Sequence, residues 1–189
     1  MLQSESTKYP TDWSPEGRFI LYRALDPKTN LELWVLPVGG DRKPMTFIKT
    51  TFGVSHGQFS PDGRWVAYAS NESGKWEVYV APFPGPGGNW QVSTAGGSEP
   101  RWGRDGTELF YIAPDGKLMA VGVKEGPTFN ADVARPLFQT RRREHISSTD
   151  LFSYDVSADG QRFLVNTDFG EATSSSLTVV LNWTAELKK

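Results

Sequence analysis

The chain of 189 residues contains no cysteine. This excludes disulfides, thiol nucleophiles and cysteine-based zinc or iron–sulfur sites. No apolar run approaches the ~18 residues of a membrane-spanning helix, and the segment from Met1 to Lys8 is too polar for a secretory signal peptide. Positive charge is not in excess, because the net charge is −2. The sequence therefore offers no electrostatic footprint for a nucleic-acid backbone.

Turn-forming and aromatic residues are abundant instead. The chain has 19 Gly, 13 Pro and 7 Trp, and aromatic residues make up 13% of it. A disordered chain would not carry so many rings, and no segment longer than ~10 residues has helical spacing of its apolar positions. This composition favours an all-β protein with many turns.

One pattern occurs four times along the chain. Aligned on the glycines at positions 17, 63, 106 and 160, the copies are spaced by 46, 43 and 54 residues. The copies are Asp12–Tyr22, Gln58–Tyr68, Arg101–Tyr111 and Asp155–Val165. In each copy an apolar residue ends a strand, an Asp-Gly or Glu-Gly turn reverses the chain, and a second strand follows.

The segments between these copies predict further strands. Alternating apolar and polar residues predict third strands over 32–38, 76–82, 117–124 and 177–183, and weaker fourth strands over 44–48, 90–93 and 135–138. A unit of about 45 residues with four antiparallel strands is a blade of a β-propeller. We therefore predict one all-β domain over 1–189, with blades at about 8–48, 53–93, 98–138 and 151–183. Four rings are predicted to lie in the core between blades: Trp13, Phe59, Trp65 and Trp102.

The second copy, from Phe59-Ser60-Pro61-Asp62-Gly63 to Tyr68, followed by Glu77–Val80, resembles the WD-repeat-like blade of TolB-type propellers. It is similar to blades of prolyl-oligopeptidase-type hydrolases and of bacterial propellers that follow a serine/threonine kinase domain. Residues 177–183 are similar to chain ends of that last group. The resemblance implies a scaffold for protein interaction or sensing, in an extracytoplasmic location. Its motif residues form turns and core, so they specify the fold rather than a function.

The number of repeats leaves two architectures open: a closed four-blade ring, or an arc of a larger propeller. The fourth repeat shows only three strands, and the segment from Leu2 to Tyr9 is the one candidate for completing it in a closed ring. That segment is short and polar, which favours an arc. Because an arc exposes apolar faces at both ends, two copies could associate into an eight-blade ring.

One polar position precedes the apolar strand end in every copy. It is occupied by Asp12, Gln58, Arg101 and Asp155. On adjacent innermost strands, Arg101 would lie between Gln58 and Asp155. We predict a buried Arg101–Asp155 ion pair bonded by Gln58 on its other side; the alternative is a row of separate solvated side chains.

The segment Gly53-Val54-Ser55-His56-Gly57 matches the G-x-S-x-G pattern of a nucleophile elbow. An elbow needs a helix after the serine, whereas a strand end and a turn follow here. The two histidines, His56 and His145, lie in different repeats and do not make a metal site. We therefore predict no catalytic residue, no metal and no cofactor.

Binding is expected on the loops that enter each first strand and join the second and third strands. On these loops His56, Glu99 and Arg142 are the candidate ligand contacts, and Arg142 lies in the arginine run 141–143. The favoured function is a non-catalytic scaffold for a protein or peptide partner. Two alternatives stay open: an accessory domain that gates a hydrolase, and a carbohydrate or small-molecule binder that uses the central channel.

Overall fold

The computed structural model describes residues 7–26, 30–85, 87–141, 152–167 and 176–181. The described residues form sixteen strands in four antiparallel sheets, numbered here in chain order. None of the described residues belongs to a helix that could cross a membrane.

The four sheets follow one another along the chain. Sheet 1 contains β1 (Thr7–Trp13), β2 (Phe19–Asp26), β3 (Asn30–Pro37) and β4 (Met45–Ile48). Sheet 2 contains β5 (Val54–Phe59), β6 (Trp65–Ser70), β7 (Glu77–Pro82) and β8 (Trp90–Gln91). Sheet 3 contains β9 (Ser98–Trp102), β10 (Glu108–Ile112), β11 (Lys117–Lys124), β12 (Asn130–Ala131) and β13 (Arg135–Gln139). Sheet 4 contains β14 (Tyr154–Val156), β15 (Arg162–Thr167) and β16 (Ser176–Leu181).

The predicted turn joins the first two strands of every sheet. In sheet 2 the N–H of Gly63 donates to the carbonyl of Ser60 at 2.9 Å, and Gly63 has a φ of +69°. The Ser60 hydroxyl accepts from the N–H of Trp65 at 2.9 Å and donates to Asp62. The same backbone bond recurs at Gly17, Gly106 and Gly160. The turns form even where Ser-Pro is missing, because the acidic residue or its backbone and the glycine carry the reversal.

Apolar clusters join each sheet to the next one. Leu21 of sheet 1 packs with Phe59 and Val66 of sheet 2. Sheets 2 and 3 share a cluster that includes Trp65 and Trp102. Phe110 of sheet 3 and Phe163 of sheet 4 meet edge to face at 5.1 Å. Among the described residues no cluster contains members of both sheet 4 and sheet 1. These sheets therefore form an open arc.

The exposure of the strand-end rings reflects this arc. Phe59, Trp65 and Trp102 are buried, as predicted, but Trp13 is 57% exposed. The prediction that Trp13 lies in the core between blades is wrong. Its equivalents Phe59 and Trp102 pack on the preceding sheet, and the described residues supply no preceding sheet for Trp13.

The segment considered for ring closure lies in sheet 1 where it is described. Thr7, Lys8 and Tyr9 pair with Leu25, Ala24 and Arg23 of β2. They therefore extend the innermost strand of sheet 1 and do not complete sheet 4, which has three strands among the described residues. The predicted end of the last strand, at 182–183, lies outside the described residues.

Candidate functional site

The first strands of successive sheets, β1, β5, β9 and β14, lie side by side and carry a row of polar residues; we call this the inner-strand surface. The pairing of β5 with β6 and of β9 with β10 is interrupted by a register shift. His56 and Glu99 lie at these two irregularities with φ of +54° and +55°. Both are seven residues before the turn glycine, so they are equivalent positions. A left-handed conformation is uncommon for residues other than glycine and often marks a functional site.

Glu99 connects sheet 3 to sheet 4. Its Oε2 accepts hydrogen bonds from the N–H of Ser153 at 2.6 Å and from the Ser153 hydroxyl at 2.7 Å. Its backbone carbonyl accepts from the Tyr154 hydroxyl at 2.9 Å. Glu99 is 2% exposed, so it lies in a strand beneath the surface rather than on the exposed loop where the sequence placed it.

His56 connects sheet 2 to the start of sheet 4. Its ring centroid lies 5.1 Å from that of Phe152, in an edge-to-face arrangement. Its Nδ1 is 2.8 Å from the Ser55 hydroxyl. His56 is 1% exposed, which again differs from the predicted exposed loop. The third predicted contact, Arg142, lies outside the described residues, as does His145.

Arg101 and Asp155 form the predicted ion pair, but with a different geometry. Arg101 Nε lies 3.8 Å from Asp155 Oδ1, and the two side chains are 20% and 64% exposed. The guanidinium also lies 3.7 Å from the centroid of the Phe152 ring. The expectation of a buried pair is wrong for Asp155. Gln58 does not bond the Arg101 side chain, because its carboxamide is engaged by the backbone of Trp102 at 2.8 Å.

The side-chain oxygens of Asp12 and Gln58 follow one rule. Asp12 Oδ2 accepts from the N–H of Phe59 at 2.7 Å, and Gln58 Oε1 accepts from the N–H of Trp102 at 2.8 Å. Each oxygen thus bonds the next inner strand one position further along. Burial raises the pKa of the Asp12 carboxyl, and the hydrogen bond from Phe59 partly offsets this.

The third junction departs from this rule because arginine has no acceptor. The N–H of Val156, which corresponds to that of Trp102, is 2.9 Å from Oδ1 of the neighbouring Asp155. The cation of Arg101 and the carboxylate of Asp155 then connect the two inner strands. An ion pair between side chains has therefore replaced a bond between a side chain and the backbone.

The G-x-S-x-G segment lacks the geometry of a nucleophile elbow. Ser55 lies inside β5, is 2% exposed and hydrogen-bonds to the adjacent His56. An elbow presents its serine at an exposed turn between a strand and a helix. In the described part of the chain, no group of three or more His, Cys, Asp or Glu side chains is placed to hold a metal ion.

Sequence reasoning missed Phe152 and Ser153, which meet His56, Arg101 and Glu99. A signal for Ser153 was present, because it also lies seven residues before its turn glycine, Gly160, and is thus equivalent to His56 and Glu99. No repeat pattern indicated Phe152.

No family model matches the chain. It is 28% identical over 123 residues to Tricorn protease homolog 1 of Streptomyces coelicolor, which covers 65% of this chain and 10% of that protein. The structure is similar to TolB from Acinetobacter baumannii, with a TM-score of 0.72 and 18% identity over 95% of this chain and 42% of that one. It is also similar to the β-propeller domain of Cps50 (Swd1) from Myceliophteria thermophila, with a TM-score of 0.56 and 9% identity over 96% of this chain and 71% of that domain.

The chain has the β-propeller fold. Sheets 1 to 4 are therefore blades 1 to 4 of a propeller, and the inner-strand surface faces its axis. The chain spans about two fifths of the length of the TolB that it matches and a tenth of the tricorn protease homologue. At these identities the solved structures show the fold alone.

Proposed function

We propose that this propeller is a non-catalytic scaffold that binds a protein or peptide partner on the inner-strand surface. The observation that carries the proposal is the Arg101–Phe152–Asp155 group. It presents a cation, an aromatic ring and an exposed carboxylate within about one side chain of each other. Such a mixture suits recognition of a peptide, since arginine and aromatic residues are enriched where proteins bind each other.

The buried residues beneath this group support binding rather than chemistry. Glu99 holds the start of blade 4 through two hydrogen bonds to Ser153, and His56 packs on Phe152. In this proposal His56 and Glu99 shape the surface from below. Arg142, which belongs to an insertion between blades 3 and 4, would add a basic contact beside it. A rigid support reduces the entropy lost on binding.

A peptide-display selection against the purified chain tests this proposal. We expect enriched peptides whose binding is lost in Arg101→Glu and retained in Arg104→Glu, which changes an exposed arginine in the turn between β9 and β10. Thermal unfolding of both variants shows that they remain folded. No enriched peptide, or binding that is indifferent to Arg101→Glu, would overturn the proposal.

A second candidate is an accessory propeller of a hydrolase. It is favoured by the 28% identity to a tricorn protease homologue. The open reading frame that encodes this chain discriminates the two candidates. A hydrolase domain in the same polypeptide supports the accessory function, and a kinase domain supports a sensor.

Three finer points belong to the same proposal. Binding of sugars or small molecules in the channel predicts a thermal shift with those ligands, whereas a partner that is a protein predicts none. The extracytoplasmic location rests on the resemblance to TolB-type and kinase-linked propellers. Self-association into a homodimer follows from the open arc and is argued next.

A further inference from the structure

Blade 2 holds the strand-end indole of blade 3 in a defined socket. Trp102 packs with Trp65 and Ala67 and is 6% exposed. Its backbone N–H donates to Gln58 Oε1 at 2.8 Å, and its Nε1–H is 3.3 Å from the Gln58 carbonyl. The socket thus combines two side chains of the second strand with one acceptor residue of the first.

Blade 4 carries the same socket positions on its outer face. Asp155, Arg162 and Leu164 align with Gln58, Trp65 and Ala67. A concavity of about 290 Å³ lies there, lined by Asp155, Val156, Ser157, Arg162, Phe163 and Leu164. Leu164 is 44% exposed and Asp155 is 64% exposed. Asp155 is an acceptor at the position where Asp12 and Gln58 each bind the N–H of the following blade.

Blade 1 carries the matching indole at the opposite end of the arc. Trp13 aligns with Phe59 and Trp102 but is 57% exposed, where those residues are 3% and 6% exposed. Tyr9 and Leu25 of the same blade are 38% and 45% exposed. An exposed indole beside other apolar side chains is typical of an interface.

We infer that a second copy of this chain docks here, with Trp13 of one copy in the concavity of blade 4 of the other. The N–H of Trp13 then donates to the Asp155 carboxylate, which repeats the bond between Trp102 and Gln58. Each copy carries one indole and one concavity, at opposite ends. A two-fold axis therefore satisfies both pairs and closes an eight-blade ring, which is within the range of ~4–8 blades known for propellers.

The mass of the chain in solution tests this inference. Light scattering across the micromolar range should give twice the 21.0 kDa of one chain. Trp13→Ala should raise the dissociation constant of the dimer at least ~30-fold, as expected for loss of a central aromatic anchor. The matched control is Phe52→Ala, which removes a ring that is 45% exposed in the loop between blades 1 and 2. It should leave the dissociation constant unchanged.

A mixing experiment separates the two surfaces. Leu164→Arg obstructs the concavity but leaves Trp13 intact, and Trp13→Ala does the reverse. Each variant alone should be monomeric, whereas an equimolar mixture should form a heterodimer through one intact junction, detectable by native mass spectrometry. Circular dichroism shows that both variants are folded.

Three results would overturn the inference: a monomer at every concentration, a dimer that Trp13→Ala does not weaken, or a mixture without heterodimer. A monomer would mean that a different polypeptide, such as another blade, covers these faces. The inference deepens the proposed self-association and does not depend on peptide binding. Its failure would leave the effect of Arg101→Glu on selected peptides unchanged.

Discussion

The carboxamide of Gln58 accepts a hydrogen bond from the backbone N–H of Trp102 at 2.8 Å, although 44 residues separate them. The carboxylate of Asp12 does the same for Phe59 at 2.7 Å. Two neighbouring junctions of the propeller are thus closed by one bond that recurs with the repeat. A side-chain acceptor at this position fixes the height of each inner strand against the next.

Removing the acceptor at the second junction should loosen blades 2 and 3. Gln58→Ala leaves the N–H of Trp102 without its partner in a half-buried place, which should lower the free energy of unfolding by about 1–3 kcal/mol. Urea denaturation followed by tryptophan fluorescence measures this change. Gln91→Ala, at an exposed glutamine, is the control and should stay within ~0.5 kcal/mol of the parent. Equal effects of the two substitutions would contradict the argument.

Asp12 should make stability depend on pH in an unusual direction for a carboxyl group. Burial raises its pKa in the folded state. As the pH rises through the unfolded value of 3.8 towards the folded pKa, the unfolded chain ionises first and stability falls. Asp12→Asn keeps an acceptor for Phe59 and removes this penalty. Its stability relative to the parent should therefore increase across that window and level off above it.

The measurement is a series of urea titrations of both proteins from below pH 3.8 to neutral. Asp12→Ala serves as the control, because it removes both the charge and the acceptor and should be destabilised at every pH. A stability difference between Asp12→Asn and the parent that shrinks as the pH rises would refute the proposed cause.

The Arg101–Asp155 pair should contribute little to stability. The charged atoms are 3.8 Å apart and Asp155 is 64% exposed, so solvent screens their attraction. Asp155→Ala should cost less than ~1 kcal/mol. Arg101→Ala should cost somewhat more, because the guanidinium also packs on Phe152 at 3.7 Å. Thermal unfolding of the single and double variants measures the coupling, and a coupling of several kcal/mol would show a buried pair instead.

Glu99 should matter more than Arg101 to the junction of blades 3 and 4. Its buried carboxylate oxygen accepts two hydrogen bonds from Ser153, at 2.6 and 2.7 Å. Glu99→Ala should cost at least about 2 kcal/mol, since bonds to a charged acceptor are the stronger kind and the N–H of Ser153 loses its partner. Glu99→Gln should cost less, because the amide oxygen still accepts. Ser153→Ala removes only the hydroxyl bond and should be the mildest of the three in chemical denaturation. The reverse ranking would show that the left-handed backbone of Glu99, and not its carboxylate, determines the cost.

Local features of the fold could be predicted from the sequence because they depend on neighbouring residues. The reversals at Gly63 and Gly106 form as expected, and the predicted strand over 117–124 is observed as Lys117–Lys124. Fourth strands were harder, since their edge positions alternate weakly. The strand predicted over 90–93 is only Trp90–Gln91, and β12 was not predicted.

The candidate site was predicted only in outline. The equivalent polar positions that include Gln58 and Arg101 were found from the repeat, and they do lie on adjacent inner strands. Their partners were not found. A donor in the backbone of the next blade leaves no trace in residue types, and Phe152 reaches the site from an irregular segment.

The repeated glycine turns and alternating apolar residues determined by themselves that this chain folds into four successive antiparallel sheets, because both signals act over a few residues. Tertiary structure alone decided the burial of equivalent residues. Trp13 and Trp102 occupy the same place in their repeats, yet one is 57% exposed and the other 6%. The difference lies in the neighbouring sheet, since the free energy of burying a ring depends on the surface against which it packs.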